Sequence, residues 1–194
     1  MVQDKIIKFI YGLLGLDYVS NAYKGGMECV EDNQLDEALE YFKKDLKENP
    51  KNGYSYVRIA DIYERNEDYE GAIHATNMAV KYLPKGDKSE LMSAYTTMGK
   101  AFLHLAQPQK ALQAYTEAIN INPQDENLYE DRANIYIRMG NYRLADADYR
   151  KIKRYEPIND IVTASSLNLI DREQISFIRD LGNYATSYLI KKYK

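Results

Sequence analysis

The side chains that could carry out chemistry are few, and their spacing matches no known catalytic arrangement. The chain has one cysteine, Cys29, and two histidines, His74 and His104. A hydrolase needs a nucleophile, a base and an acid that converge on one point. The sequence also contains no zinc-protease, phosphate-loop or dinucleotide-binding motif. We therefore expect that the protein is not an enzyme and that it holds no metal and no cofactor.

The composition excludes several further classes of function. Hydrophobic residues make up 45% of the 194 residues and charged residues 28%, which is typical of a folded chain. The net charge is −3 and both signs are spread along the chain, so there is no basic stripe for nucleic acid. One cysteine cannot form an intrachain disulfide. We expect a cytoplasmic protein with neither a nucleic-acid partner nor a disulfide partner.

Two residue types recur along the chain at nearly constant intervals. The prolines are separated by 34, 39 and 34 residues and are Pro50, Pro84, Pro123 and Pro157. An alanine keeps the same rhythm at Ala38, Ala72, Ala111 and Ala145. A period of 34 residues is typical of arrays of helix-turn-helix hairpins.

Each repeat contains two stretches with apolar residues three and four positions apart, which predicts two amphipathic helices. We expect the two helices of a hairpin to approach closely at a small residue of the first helix, because a larger side chain would push the axes apart. In the second, third and fourth repeats these small residues are Ala60, Gly99 and Ala133. Cys29 occupies a position that is aromatic in the other repeats, so we expect it to be a core residue.

The first helices share a pattern of aromatic and small residues. It reads YVRIADIY at 56–63, YTTMGKAF at 95–102 and YEDRANIY at 129–136. This pattern resembles the tetratricopeptide repeat family, with departures at Arg132 in the leucine position and Thr76 in an aromatic position. The resemblance covers about residues 20–157. It implies an all-α, right-handed α-solenoid of four hairpins, at about 18–51, 52–85, 86–124 and 125–158, with capping helices at 1–17 and 158–194.

The longer interval of 39 residues comes from five extra residues before the third repeat. They lie within residues 85–90, where Asp87 and Glu90 have the spacing of a capping box. We therefore expect the first helix of the third repeat to begin about one turn earlier than the others.

The resemblance implies that the first helices line a concave groove that binds a peptide or protein segment. Projection onto that face gives the candidate residues Lys24, Tyr54, Arg58, Asp61, Arg65, Thr97, Lys100, His104, Glu130, Asp131, Asn134 and Arg138. Lys24, Arg58 and Lys100 form a predicted cationic track, and Glu130 and Asp131 an acidic end. Such a track would attract the acidic portion of an extended peptide.

One subtype of the family can be tested on the residues. Its chaperone-binding members clamp a C-terminal Glu-Glu-Val-Asp tail with Lys, Asn and Arg side chains on successive first helices. The corresponding positions of this chain hold Tyr23, Met27, Arg58, Ser93 and Thr97. We therefore do not expect the chaperone clamp.

The predicted function is a non-catalytic scaffold for protein–protein interaction, whose partner is an unknown protein or peptide. Two alternatives remain open: an assembly or oligomerisation subunit such as a homodimer, or a helper module of a larger enzyme or transport complex, acting through the terminal helices. The apolar segment 6–16 is too short to span a bilayer. We expect it to be part of the capping helix, with secretion or membrane-surface association as the alternative, and we expect no membrane contact.

Overall fold

The computed structural model describes residues 19–152, and the regular secondary structure of this part of the chain is entirely α-helical. Its eight helices are α1 Asn21–Glu31, α2 Leu35–Glu48, α3 Gly53–Arg65, α4 Tyr69–Tyr82, α5 Lys88–His104, α6 Pro108–Ile121, α7 Glu126–Arg138 and α8 Tyr142–Tyr149. The predicted all-α fold class is confirmed. The predicted capping helices at 1–17 and 158–194 lie outside the described residues.

The chain divides into two compact units, which are described separately. Unit 1 extends to Glu90 and unit 2 begins at Leu91, so the first residues of α5 belong to unit 1. The core of unit 1 contains Cys29, Phe42 and Ile59. The core of unit 2 is built around Tyr115, Tyr129 and Tyr149. Each core lies between the first and second helices of its hairpins.

Each hairpin turns through one residue in the left-handed conformation. These residues have φ between 55° and 75° and are Asn33, Glu67, Ala106 and Gly140. In every turn the next residue donates its N–H to the carbonyl five positions earlier, at 2.8 Å. This bond closes the end of the first helix as in a Schellman motif. The four hairpins therefore share one turn geometry.

The two helices of a hairpin approach closely where the sequence has small residues. A Cβ atom on Gly26 would lie 2.7 Å from the ring of Phe42, and a Cβ atom on Gly99 would lie 2.7 Å from the ring of Tyr115. Ala60 and Ala133 are fully buried at the equivalent positions. The close approach predicted at Gly99 is thus confirmed, and the full burial of Ala60 and Ala133 agrees with the prediction at those positions.

The first helix of the third hairpin is longer than its equivalents. Helix α5 has 17 residues, whereas α3 and α7 have 13 each. Asp87 precedes α5 and its carboxylate accepts a hydrogen bond from the N–H of Glu90 at 3.4 Å. The structure therefore confirms the predicted early start of this helix.

Asp45 in unit 1 and Arg132 in unit 2 are charged residues that interrupt the apolar pattern, and both have partners. In unit 1 the fully buried carboxylate of Asp45 accepts hydrogen bonds from Ser20, Asn49, Asn52 and Ser55. In unit 2 Arg132 pairs with Asp148 through Nε and Nη2, at 2.8 and 2.6 Å, and donates from Nη1 to the hydroxyl of Thr116 at 2.9 Å. Arg132 therefore fits the leucine position because its charge is matched.

Candidate functional site

In unit 1 the predicted groove residues of α3 meet the beginning of α5. The Tyr54 hydroxyl donates to Asp87 Oδ2 at 2.8 Å. Arg58 forms an ion pair with Glu90 through Nη2, and its Nη1 lies 3.5 Å from Asp61 Oδ2. The structure thus brings together Tyr54, Arg58 and Asp61 from the predicted set.

The charges of this cluster perturb one another. Burial raises the pKa of Glu90; the positive charge of Arg58 opposes this rise, and the charges of Asp87 and Asp61 add to it. Burial lowers the pKa of Arg58, but a hydrogen bond with Tyr23 and the charge of Glu90 outweigh burial, so the pKa of Arg58 is raised. One guanidinium therefore lies among three carboxylates.

The other two predicted cationic residues of unit 1 are Lys24 and Arg65, and their surroundings differ from those of this cluster. Lys24 is exposed and lines an open cleft of about 410 Å³ formed by α1 and α2, together with Asn21, Ala22, Gly25, Glu28, Tyr41 and Lys44. Arg65 is the last residue of α3 and is exposed. Lys24 therefore has a second lysine, Lys44, as a neighbour in its cleft.

In unit 2 the predicted residues of α7 are held by buried tyrosines. The hydroxyl of Tyr149 donates to Asn134 Oδ1 at 2.8 Å. Asp131 is half-buried, and burial raises its pKa, whereas the charge of Lys100 and a hydrogen bond from Tyr115 lower it. Since Asp131 and Asn134 are three residues apart, they lie on the same side of α7.

The remaining predicted residues of unit 2 differ in exposure. Thr97 is only 7% exposed, so it offers little surface to a partner. Lys100 and His104 on α5 and Arg138 at the end of α7 are exposed, and Glu130 is partly exposed. The sequence analysis did not include the tyrosines that support Asp131 and Asn134 in the site.

The sequence predicts only that Asp87 and Glu90 cap the beginning of α5. The structure adds that their carboxylates contact Tyr54 and Arg58, more than 30 positions earlier in the chain. The signal that could have indicated this role is the insertion itself, which places two acids beside a partly exposed tyrosine and arginine of the preceding first helix.

The residues with catalytic potential lie in different environments. Cys29 is buried, and burial raises the pKa of its thiol, with further contributions from the charges of Glu37 and Asp32. His74 and His104 are exposed on α4 and α5. Between residues 19 and 152, no group of three or more His, Cys, Asp or Glu side chains could hold a metal ion.

Over the same described range, no helix is long and apolar enough to cross a membrane.

Curated relatives match this chain over parts of their own length. The DnaJ homolog subfamily C member 7 homolog of Dictyostelium discoideum is 26% identical over 153 residues, which is 71% of this chain and 28% of that protein. The 58 kDa phosphoprotein of Plasmodium berghei is 32% identical over 88 residues, 45% of this chain and 19% of that protein. The chain thus spans less than a third of the length of these two relatives.

Solved structures with the same fold include MamA and a domain bound to an HSP90 peptide. A crystal structure of MamA protein has a TM-score of 0.60 and 24% identity, and covers 67% of this chain and 68% of that one. The first tetratricopeptide domain of Spaghetti (RPAP3), bound to the HSP90 peptide SRMEEVD, has a TM-score of 0.55 and 19% identity, and covers 61% and 90%. These similarities show a fold shared with tetratricopeptide solenoid proteins.

A family model confirms the resemblance at the level of sequence. The model of the tetratricopeptide repeat matches residues 93–125 and residues 127–159. These are the third and fourth of the repeats found from the proline and alanine rhythm. Residues 93–125 and 127–159 thus resemble the tetratricopeptide repeat in sequence, and the fold of the chain is shared with proteins that contain this repeat.

Proposed function

We propose that this protein binds an extended segment of a partner protein on the faces of its first helices. In unit 1 these are α1 and α3, and in unit 2 they are α5 and α7. The complex between the related Spaghetti domain and a peptide supports this proposal. The predicted site residues on these helices, apart from the buried Thr97, are the proposed contacts.

The observation that carries the proposal is the orientation of Asn134. The buried hydroxyl of Tyr149 donates to its Oδ1 at 2.8 Å, so the amide group is fixed with its Nδ2 directed away from that hydroxyl. A primary amide provides two N–H donors on this nitrogen. A fixed donor on a partly exposed face can bind a backbone carbonyl of an extended segment at a low entropic cost.

Asp131 and Lys100 complement this donor. Asp131 lies one helical turn before Asn134, and the hydrogen bond from Tyr115 restrains its carboxylate. Its second oxygen is an acceptor for an N–H group of the partner. Lys100 is exposed and close enough to Asp131 to lower its pKa, and it provides a charge for an acidic side chain.

The chaperone tail is not the proposed ligand. Of the positions that correspond to the clamp, Tyr23 and Met27 carry no charge, Arg58 is paired with Glu90, and Thr97 is buried. We expect that the peptide SRMEEVD, which the Spaghetti domain binds, shows no saturable binding to this chain.

A selected peptide and two matched variants test the proposal. Heptapeptides are selected from a random library on the full chain, and the affinity of the best peptide is measured by fluorescence anisotropy. Asn134→Ala removes one hydrogen bond worth about 1 kcal/mol, or about a fivefold loss of affinity. Asn120→Ala makes the same substitution on the exposed surface of the second helix α6 and should leave the affinity unchanged.

Two results would contradict the proposal. One is that selection enriches no peptide at all. The other is that Asn134→Ala and Asn120→Ala weaken the binding equally, or not at all, while circular dichroism shows that both variants are folded.

A further inference from the structure

The inserted turn, residues 85–90, places two carboxylates on the first-helix face of unit 1. We propose that it acts as an internal ligand of α3: Glu90 occupies Arg58 and Asp87 occupies Tyr54, so that an acidic partner segment binds this face only when the turn is displaced. The inference rests on the proposed function, because it assumes that first-helix faces bind partner segments.

The contacts join the turn to α3 at two separate points. Tyr54 and Arg58 are four residues apart and therefore lie on one face of α3. The Tyr54 hydroxyl donates to Asp87 Oδ2 at 2.8 Å, and Arg58 Nη2 pairs with Glu90 Oε1. Since both partners come from the residues that lengthen the repeat from 34 to 39, a repeat of regular length would lack them.

The pair between Arg58 and Glu90 is the type of contact that an acidic ligand would form. Guanidinium groups bind carboxylates best through two parallel N–H···O bonds. Here Arg58 Nη2 bonds Glu90 Oε1, whereas Arg58 Nε and Glu90 Oε2 are buried without a hydrogen-bond partner among the described residues. A buried polar atom without a partner lowers the stability of the contact. A ligand carboxylate that bonds Nε and Nη2 together would therefore compete well with Glu90.

The position of the pair allows this exchange. The side chains of Arg58 and Glu90 keep 23% and 22% of their surface exposed, so the contact lies at the edge of the fold. The turn also contains Gly86, around which an added Cβ atom would meet nothing within 4 Å. The space around Gly86 is therefore open.

The experiment measures binding of a simple acidic probe, fluorescein-labelled hexaglutamate, to the full chain by anisotropy at low salt. Glu90→Ala should bind the probe at least fivefold more tightly than the natural sequence, because Arg58 then loses its ion pair with Glu90 and one of the carboxylates around it is removed. Glu37→Ala is the control: it removes one exposed carboxylate of α2 and changes the net charge equally, and it should give no comparable gain. Arg58→Gln added to Glu90→Ala should abolish the gain.

Three results would overturn the inference. They are no gain with Glu90→Ala, an equal gain with Glu37→Ala, and a gain that persists when Arg58 is replaced by Gln. Glu90→Gln, a neutral variant of the same shape, is measured alongside and should give a gain of the same sign if Glu90→Ala proves unstable. The selected heptapeptide and Asn134→Ala test the proposed function in unit 2 separately, so either claim can fail while the other holds.

Discussion

Asp131 lies between the candidate binding surface of unit 2 and the core of that unit. It is half-buried beside Lys100, and a hydroxyl from the buried Tyr115 restrains it. Burial, together with the charges of Glu130 and Asp125, outweighs both of these neighbours, so the pKa of Asp131 in the folded state is above the ordinary value of 3.8. The neutral form of this side chain is therefore favoured by folding relative to the charged form.

The replacement Asp131→Asn should change the free energy of unfolding by an amount that depends on pH. Below pH 3.8 both states of the natural protein carry a neutral Asp131, so folding is not opposed by its charge. As the pH rises through the raised folded pKa, the natural protein loses this contribution, whereas the variant does not titrate. The free energy of unfolding of Asp131→Asn relative to the natural protein should thus increase from pH 3.5 to pH 7. Urea denaturation at each pH measures it, and a constant or falling difference would refute the assignment.

Single polar residues in the core mark the limit of what the repeat pattern can predict. Arg132 was identified as a departure from the leucine position, but its partners Asp148 and Thr116 depend on packing between helices. Asp45 stands where the second and third repeats have Ala79 and Ala118, and four polar neighbours surround its carboxylate. A periodic pattern identifies which residue is unusual, but it does not identify which side chain compensates for it.

At the scale of the helices, the sequence predicted the pairs and the lengthened α5 because apolar spacing and a capping box are local signals. The left-handed residues of the turns have a weaker local signal. Gly140 is a residue type that favours the left-handed conformation, whereas Glu67 and Ala106 adopt it with positive φ at a cost. These two residues are held by the Schellman-type bond that the rest of the hairpin imposes.

The close approach of α5 and α6 gives a prediction at this scale. Gly99→Leu would bring a side chain against the ring of Tyr115, which a Cβ atom alone would approach to 2.7 Å. Overpacking of this kind costs about 1–3 kcal/mol. Gly86→Leu is the matched control, since nothing lies within 4 Å of its added Cβ atom, and it should change the stability by less than about 0.5 kcal/mol. Equal urea midpoints for the two variants would show that the helix contact is not tight at Gly99.

At the scale of the whole molecule, the repeat rhythm was sufficient to predict a fold shared with tetratricopeptide solenoid proteins, because the fold repeats one hairpin. It was not sufficient to predict how the first-helix faces are charged. The predicted cationic track includes Arg58, which the inserted turn pairs with Glu90, and Lys24, which lines a cleft between α1 and α2. Ligand preference depends on such side-chain pairs, and these vary between repeats that share the same backbone.

The claim that first helices bind partner segments is tested most directly by mapping the contact residue by residue. The ¹⁵N-labelled full chain is titrated with the selected heptapeptide, and amide chemical shifts are followed by NMR. The account predicts that the largest saturable shifts in unit 2 lie on α5 and α7, around Lys100, Asp131 and Asn134. Largest shifts on the second helices α6 and α8, with Asn134 unaffected, would contradict it.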